Sequence, residues 1–492
     1  MHYGHRELQI VSQSSPTGTQ FLQAVGTAKA MVYRGTDRIV YCSAGEGTTA
    51  QGAYHEALNW AAREKLPVVF LIEDNTYAIS VHISEQIAGE SVAQISSGYE
   101  GLDVVEVDGL DYFACAKVCQ AAANRARRGD GPTVIVAKVV RLQSHSISDN
   151  QTKYRPDAEI KKDSKRDPIH IFAAELQKRK ILSKKQLDAI DSEIRAEVDA
   201  AASWAEEQAD PAIDSWEEHV YVNPDPGRNV KEAEPNGADI FLVDAITAAL
   251  DEELARDREM VVYGEDVAHG KGGVFTATAG LTAKHGKNRV FNSPLAEASI
   301  VGTAVGMAAV GLKPVVEIQF GDYIWTAMMD IRNELALMCY RSAGKFSCPA
   351  VVRVAVGGYI HGALYHSQNI EATFAHFPGL FVVYPSNAWD AKGLLKASIR
   401  CDDPVLFLEH KGLYRQVYAK GPRGGKDDLI PMGRGSIVRK GSDATIVTWG
   451  ALVYKSLLAA EAVYKSDGLE VEVIDLRTIY PLDEEMILES VK

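Results

Sequence analysis

Cysteine, basic charge and long apolar runs are all scarce in this chain. Six cysteines spread over 492 residues do not make a disulfide framework, so a reducing, cytoplasmic setting is expected. Cys115 and Cys119 stand four apart on an expected helix, but no second ligand pair lies nearby and they read as ordinary packing. No apolar run approaches the roughly eighteen residues of a membrane span. The first twenty residues lack the basic and apolar regions of a secretory leader, so no membrane association is expected. Lys and Arg number 52 against 66 Asp and Glu, a net charge of -14. Binding a phosphate backbone needs a basic surface, which argues against nucleic acid as a partner.

What remains is a globular composition, 46% hydrophobic and 24% charged, long enough for two or three domains. The most informative stretch runs from Gly45 to Tyr77. Ile39 to Cys42 reads as a buried strand, Gly45-Glu46-Gly47 as a turn, Thr48 to Lys65 as a helix and Val68 to Ile72 as a second strand. Asp74-Asn75-Thr76-Tyr77 closes it. Such a turn has two readings. It is either a tight surface turn, or a place where bare amides and a helix N-terminus meet a phosphate. In the second reading Glu46 and Asn75 are hard oxygen ligands for a divalent cation at the carboxyl edge of a parallel sheet.

The segment GEGTTAQGAYHEALNWAAREKLPVVFLIEDNTYAIS resembles the alpha subunit of thiamine diphosphate-dependent branched-chain 2-oxo acid dehydrogenases. The resemblance implies that Gly45, Glu46 and Gly47 face the cofactor diphosphate. It also implies that Glu46, the Asn75 side chain and the Tyr77 carbonyl hold magnesium. Asp74 departs from the family, which usually has Asn there. In the 12–20 loop, Ser15 and Thr17 match cofactor-contacting positions. Ser14, Pro16, Thr19 and Gln20 match the positions of a potassium ion. The loop Arg141 to Asn150 resembles the family's Arg-x-x-x-His-Ser-x-Ser-Asp loop, in which His145 borders the diphosphate. On its own residues His145 reads as an ordinary loop histidine.

Residues 158 to 209 are strongly charged and helical in pattern, and read as solvated helices over the first domain. Pro224, Pro226, Gly227, Pro235 and Gly237 mark a linker. A second unit restarts near Phe241. In it Glu297 opens an apolar helix, Ala298 to Gly311, and reads either as a simple N-terminal acid or as a buried catalytic acid. The resemblance continues here into the beta subunit. By it Glu297 meets the pyrimidine nitrogen N1′, while Gln319 and Tyr323 lie near the pyrimidine ring in a segment like EIQFADY. His366, in a loop like GHGALYHSQ, faces the active site.

The expected architecture is α/β: a parallel-sheet thiamine diphosphate-binding fold with alpha and beta portions fused. The expected domains are a diphosphate-binding domain over 1–157, charged helices and linker over 158–237, a pyrimidine-binding domain over 238–425 and the start of a transketolase-type C-terminal domain over 426–492. Both ends read as short against the family. The expected activity is oxidative decarboxylation of a branched-chain 2-oxo acid, with thiamine diphosphate and Mg2+ and with K+ left open. Glu297, His366, His145 and Tyr323 are the expected catalytic set, a lipoyl acyltransferase the expected partner, and at least a homodimer the expected assembly. Pyruvate or acetoin dehydrogenase, a transketolase-like enzyme and a non-catalytic scaffold are the other readings.

Overall fold

The structure, a computed structural model, describes residues 3–89 and 91–492. It forms two compact units: Arg34–Glu217, and a larger one in which the N-terminal residues through Tyr33 join Glu218–Lys492. Both are built on parallel sheets.

The smaller unit has four parallel strands in the order Val40–Gly45, Val68–Asp74, Thr133–Lys138, Asp103–Asp108. Val134, Ile135 and Val136 are almost fully buried, the continuous apolar run expected of a central parallel strand. Register pairs Gly45 with Glu73 and Asp74 with Lys138, so the carboxyl ends of three strands meet at one edge. The helix expected from Thr48 is divided into a 3-10 turn, Glu46–Ala50, and the α-helix Gly52–Glu64.

Further along, the helix Pro168–Lys178 packs as expected, with Phe172 4.5 Å from the Tyr112 ring. The next helix, Lys184–Glu206, is more exposed still, with Leu187 alone half-buried.

The larger unit carries a seven-stranded sheet. Phe381–Val383, Val405–His410, Val351–Val356, Lys313–Ile318, Met260–Gly264 and Val290–Asn292 lie parallel in that order, and Thr478–Tyr480 adds an antiparallel edge beside Phe381–Val383. A separate three-stranded sheet holds Ser436–Arg439, Val471–Asp475 and Ala444–Thr448. Residues 218–237, read as linker, are tied to this unit. Asp403 accepts the backbone N–H groups of Val222 and Asn223 at 2.7 and 2.9 Å, and the Tyr221 ring stacks on Phe381 at 4.8 Å.

One charged cluster sits deep in the seven-stranded sheet. Arg353, only 1% exposed, donates to both oxygens of Glu409 at 2.6 and 2.8 Å and to Glu317 at 2.8 Å. Tyr414 completes Glu409 at 2.7 Å. Buried charges are tolerable when they are ion-paired and hydrogen-bonded in this way.

The N-terminal helix Thr19–Tyr33 belongs here, not with the strands that follow it, because it packs on Glu297–Ala309 at backbone distance. A Cβ on Gly26 would stand 1.9 Å from the Thr303 carbonyl oxygen, and one on Gly306 2.0 Å from that of Gln23. Glycine has no Cβ to clash, so it alone permits this approach. Gly306→Val is therefore expected to cost about 1–3 kcal/mol or more by overpacking, read as a lowered Tm. Gly98→Ala, at a position with nothing within 4 Å, is the control that should leave Tm nearly unchanged.

Candidate functional site

In the smaller unit, the strand tips bring Glu46, Asn75 and Tyr77 into one chain of hydrogen bonds. Glu46 is 1% exposed. Its Oε2 accepts the Asn75 backbone N–H at 3.2 Å, while its Oε1 is buried with no hydrogen-bond partner in the protein. Asn75 Oδ1 in turn accepts the Tyr77 N–H at 3.2 Å. Burial pushes the Glu46 carboxyl up to about 7, against the pull of backbone N–H groups, its own and that of Asn75. Of the two glycines in the turn, Gly47 is sterically required, since a Cβ there would lie 2.7 Å from Ala78 Cβ, whereas Gly45 has open space.

Asp74 is occupied elsewhere. Its carboxylate takes the Lys138 ammonium at 2.6 Å and the Thr76 N–H at 3.0 Å. Arg141 was not singled out from the sequence, yet it organises the neighbourhood. Its guanidinium donates to the Tyr77 carbonyl at 2.7 Å and also to the carbonyls of Ala78 and Ile79. His145 follows in the same loop and is exposed; its backbone N–H is held by Asp149 at 2.9 Å.

The oxygens fit a divalent cation chemically. Glu46 offers an unpaired carboxylate oxygen, Asn75 an amide oxygen, and a carbonyl that already accepts one hydrogen bond, as Tyr77 does, retains a lone pair. Among the described residues no group of three or more His, Cys, Asp or Glu could hold a metal; this donor set contains one carboxylate only.

The larger unit gathers a second group. Glu297 begins the helix Glu297–Ala309 and is half-buried, not fully buried. The carboxyl that burial raises is that of its neighbour Glu265, pushed up to about 7 with help from the Glu297 and Asp266 charges. Glu265 lies at the tip of Met260–Gly264, a position whose chemistry is visible only once Glu297 is brought opposite. Gln319 bridges to the Glu265 carbonyl at 3.3 Å and to Asp266 at 3.0 Å.

Tyr323 and His366 meet directly, Oη to Nε2 at 2.9 Å, and Phe320 stands edge-on to the imidazole with centroids 4.6 Å apart. A Cβ on Gly362 would fall 2.5 Å from His366 Cβ, so the loop needs glycine there. His366 Nδ1 is buried and has no hydrogen-bond partner in the protein. Behind Phe320 lies Lys411, 2% exposed, with Nζ 5.6 Å from the ring centroid and no hydrogen-bond acceptor; burial brings its ammonium down to about 8.

The 14–20 loop converges on a carboxylate. Ser14 and Thr19 hydroxyls both donate to Glu334 Oε1, the latter at 2.9 Å, and Arg341 pairs with Glu334 at 2.8 Å. Gln20 Oε1 accepts the Gly18 N–H at 2.9 Å, and the Ser14 hydroxyl also reaches the Pro16 carbonyl at 3.4 Å. Ser15 and Thr17 are exposed.

Comparison with known proteins matches this order of parts. The profile of the dehydrogenase E1 component covers residues 1–214, that of the transketolase pyrimidine-binding domain 239–417 and that of the transketolase C-terminal domain 433–492. The beta subunit of 2-oxoisovalerate dehydrogenase from Bacillus subtilis is 50% identical over 248 residues, half of this chain and 75% of that protein. The chain belongs to the 2-oxo acid dehydrogenase E1 family. It joins an alpha-like domain to beta-like domains, and the family is one of thiamine diphosphate-dependent oxidoreductases that work within multienzyme complexes. The pyruvate dehydrogenase E1 beta subunit of Acholeplasma laidlawii is similar at 47% over 253 residues, 51% of this chain and 76% of that protein. A mitochondrial 2-oxoisovalerate dehydrogenase beta subunit from Dictyostelium discoideum is 48% identical over 252 residues, 51% of this chain and 67% of that protein. Among the described residues no helix is long and apolar enough to cross a membrane.

The raised Glu46 makes a pH prediction for the cofactor-free E1 chain. Its stabilising contribution is fully present below the ordinary value of 4.5, where the carboxyl is protonated folded or unfolded, and is lost as pH rises through about 7. Tm of the native protein should therefore fall below that of Glu46→Gln as pH rises from about 4.5 through about 7, level off above that, and the two should converge below about pH 4. Thermal melts across that range check it.

Proposed function

We propose that this E1 chain carries out the oxidative decarboxylation of branched-chain 2-oxo acids of the 3-methyl-2-oxobutanoate type, passing the acyl group to a lipoyl acyltransferase. The observation that carries it is the pairing of a buried carboxylate with one unsatisfied oxygen, in line with Asn75 and Tyr77, and a separate acid, Tyr–His and Gln group in the beta-like part. Thiamine diphosphate, when bound, supplies the electron sink that lets a 2-oxo acid lose carbon dioxide.

The surroundings of the chain's own residues support the following roles. Glu46, Asn75 and the Tyr77 carbonyl would hold Mg2+, whose charge relieves the desolvated Glu46 carboxylate. Gly47 keeps the backbone open at that turn. Glu297 would hold a proton at the pyrimidine nitrogen. Beside it the raised Glu265 keeps its own proton up to about pH 7, so the two acids need not both be charged. His366, oriented by Tyr323 through its Nε2, presents Nδ1 for proton transfer. His145, on its exposed loop, would assist. Ser15 and Thr17 would contact the cofactor, and Ser14, Pro16, Thr19 and Gln20 would hold K+ beside Glu334. Subunit names among the relatives support an oligomer, for which we propose at least a homodimer.

Pyruvate is the second reading, because a pyruvate dehydrogenase subunit is nearly as similar as the branched-chain one, 47% against 50% identity. Steady-state decarboxylation of 3-methyl-2-oxobutanoate and of pyruvate on one preparation decides between them: a larger kcat/KM for the former supports the proposal, and a larger value for pyruvate reverses it. Glu297→Gln should lower kcat by about 100-fold or more while calorimetry shows thiamine diphosphate still binding. A native rate from Glu297→Gln would remove Glu297 from the acid role. Magnesium-dependent cofactor binding that disappears in Asn75→Ala is the matching expectation for the metal site.

A further inference from the structure

Lys411 is a buried charge that none of the roles above uses. It follows the strand Val405–His410, at the carboxyl edge of the sheet whose neighbouring strands lead into Phe320 and the His366 loop. The residue is 2% exposed and its Nζ has no hydrogen-bond acceptor in the protein. Nζ lies over the Phe320 ring, 5.6 Å from the centroid. A buried ammonium without an anion is costly, and burial accordingly brings Lys411 down to about 8.

The groups around it do not supply the missing charge. Both oxygens of Glu409 are taken by Arg353, and Tyr414 adds a third bond. His410 is brought down to about 4 by burial and by the Lys411 and Lys455 charges, and its Nδ1 accepts the Gly412 N–H at 3.1 Å. Asp322 acts on Lys411 only through space. Its Oδ2 accepts the Gln368 N–H at 3.4 Å, and its Oδ1 is buried without a partner. Tyr323 is committed to His366. A water molecule would take a hydrogen bond from Nζ but leave the charge uncompensated.

A second unsatisfied group lies against the same ring. His366 stands edge-on to Phe320 with centroids 4.6 Å apart, and its Nδ1 is buried with no partner. With Tyr323 donating to Nε2, Nδ1 carries the hydrogen and is a donor. An ammonium and an imidazole N–H about one aromatic ring offer two donors and one positive charge. A carboxylate, with two oxygens and one negative charge, is their complement. Lysine carries its charge on a flexible four-carbon stem, so Nζ can turn past the ring edge toward an anion seated at His366.

We propose that Lys411 is a substrate-binding residue, which takes the carboxylate of the 2-oxo acid beside Phe320 and shares it with His366 Nδ1. This role rests on the chain acting on 2-oxo acids, as proposed above. Branched-chain acids and pyruvate serve alike, since both carry the carboxylate.

Calorimetric titration of the full chain, with thiamine diphosphate and magnesium present, tests it with 3-methylbutanoate and propanoate. These lack the keto carbon of 3-methyl-2-oxobutanoate and pyruvate and do not react. An anion that pairs with the ammonium raises Lys411 again, so binding takes up protons near and above pH 8. Runs in two buffers of different ionisation enthalpy should show about half a proton or more taken up per anion at pH 8.5, beyond any uptake by Lys411→Met. At pH 7.5 Lys411→Met should bind the preferred anion about 10-fold or more weakly, with the uncharged 3-methylbutanamide bound as by the native chain. The proposal is overturned if neither anion binds the native chain, or if binding at pH 8.5 takes up no proton, a reading that needs no variant. It is also overturned if Lys411→Met binds the anion as well as the native chain does, or loses anion and amide equally, which would make Lys411 structural. Uptake with propanoate alone would reverse the branched-chain reading and leave Lys411 in its role.

Discussion

The larger unit depends on how closely two helix backbones approach. Gly26 on one helix and Gly302 and Gly306 on the other stand where a Cβ would overlap a carbonyl or a Leu22 side chain. That approach fixes the start of the Glu297–Ala309 helix, and with it the place of Glu297 relative to Glu265. It also anchors the 14–20 loop, whose hydroxyls then reach Glu334. A side chain at these positions would separate the helices, so the same glycines that carry no chemistry set the positions of residues that do.

The carboxylates that reach the interior differ in whether they find a partner. Glu317 and Glu409 share Arg353, with a Tyr414 hydroxyl on Glu409, and each carboxylate is charge-paired in the core of the sheet. Glu46 and Glu265 are not: each keeps one buried oxygen without a partner, and burial raises both toward neutrality. An unpaired buried carboxylate is costly in a resting protein, and such groups cluster at functional sites. Lys411 is the cationic counterpart, an ammonium held behind Phe320 without an acceptor.

Much of the site was legible in the chain order. Gly45 to Tyr77 announced a strand, a turn and a second strand with acid and amide at their tips, and the tips do converge. Tyr323 and His366, each named separately by the resemblance and more than forty residues apart, share a hydrogen bond. Other features were not legible, for physical reasons. Arg141 gains its importance from carbonyls more than sixty residues earlier, which no local pattern encodes. Asp74, the position that departs from the family, is engaged by Lys138, its register partner. Glu265 carries no local signal because its burial and the Glu297 charge, which raise it most, come from other elements.

The sequence by itself determined the period of burial, hence the strands and helices, and the residue types able to bind a cation or move a proton. Those follow from local spacing and side-chain chemistry. Only the tertiary structure decided that the first helix belongs with the C-terminal unit, that residues 218–237 are packed instead of free, and which carboxylates find a partner. Pairing and burial are relations between distant residues, and a carboxylate's protonation depends on what surrounds it in space, not on its neighbours along the chain.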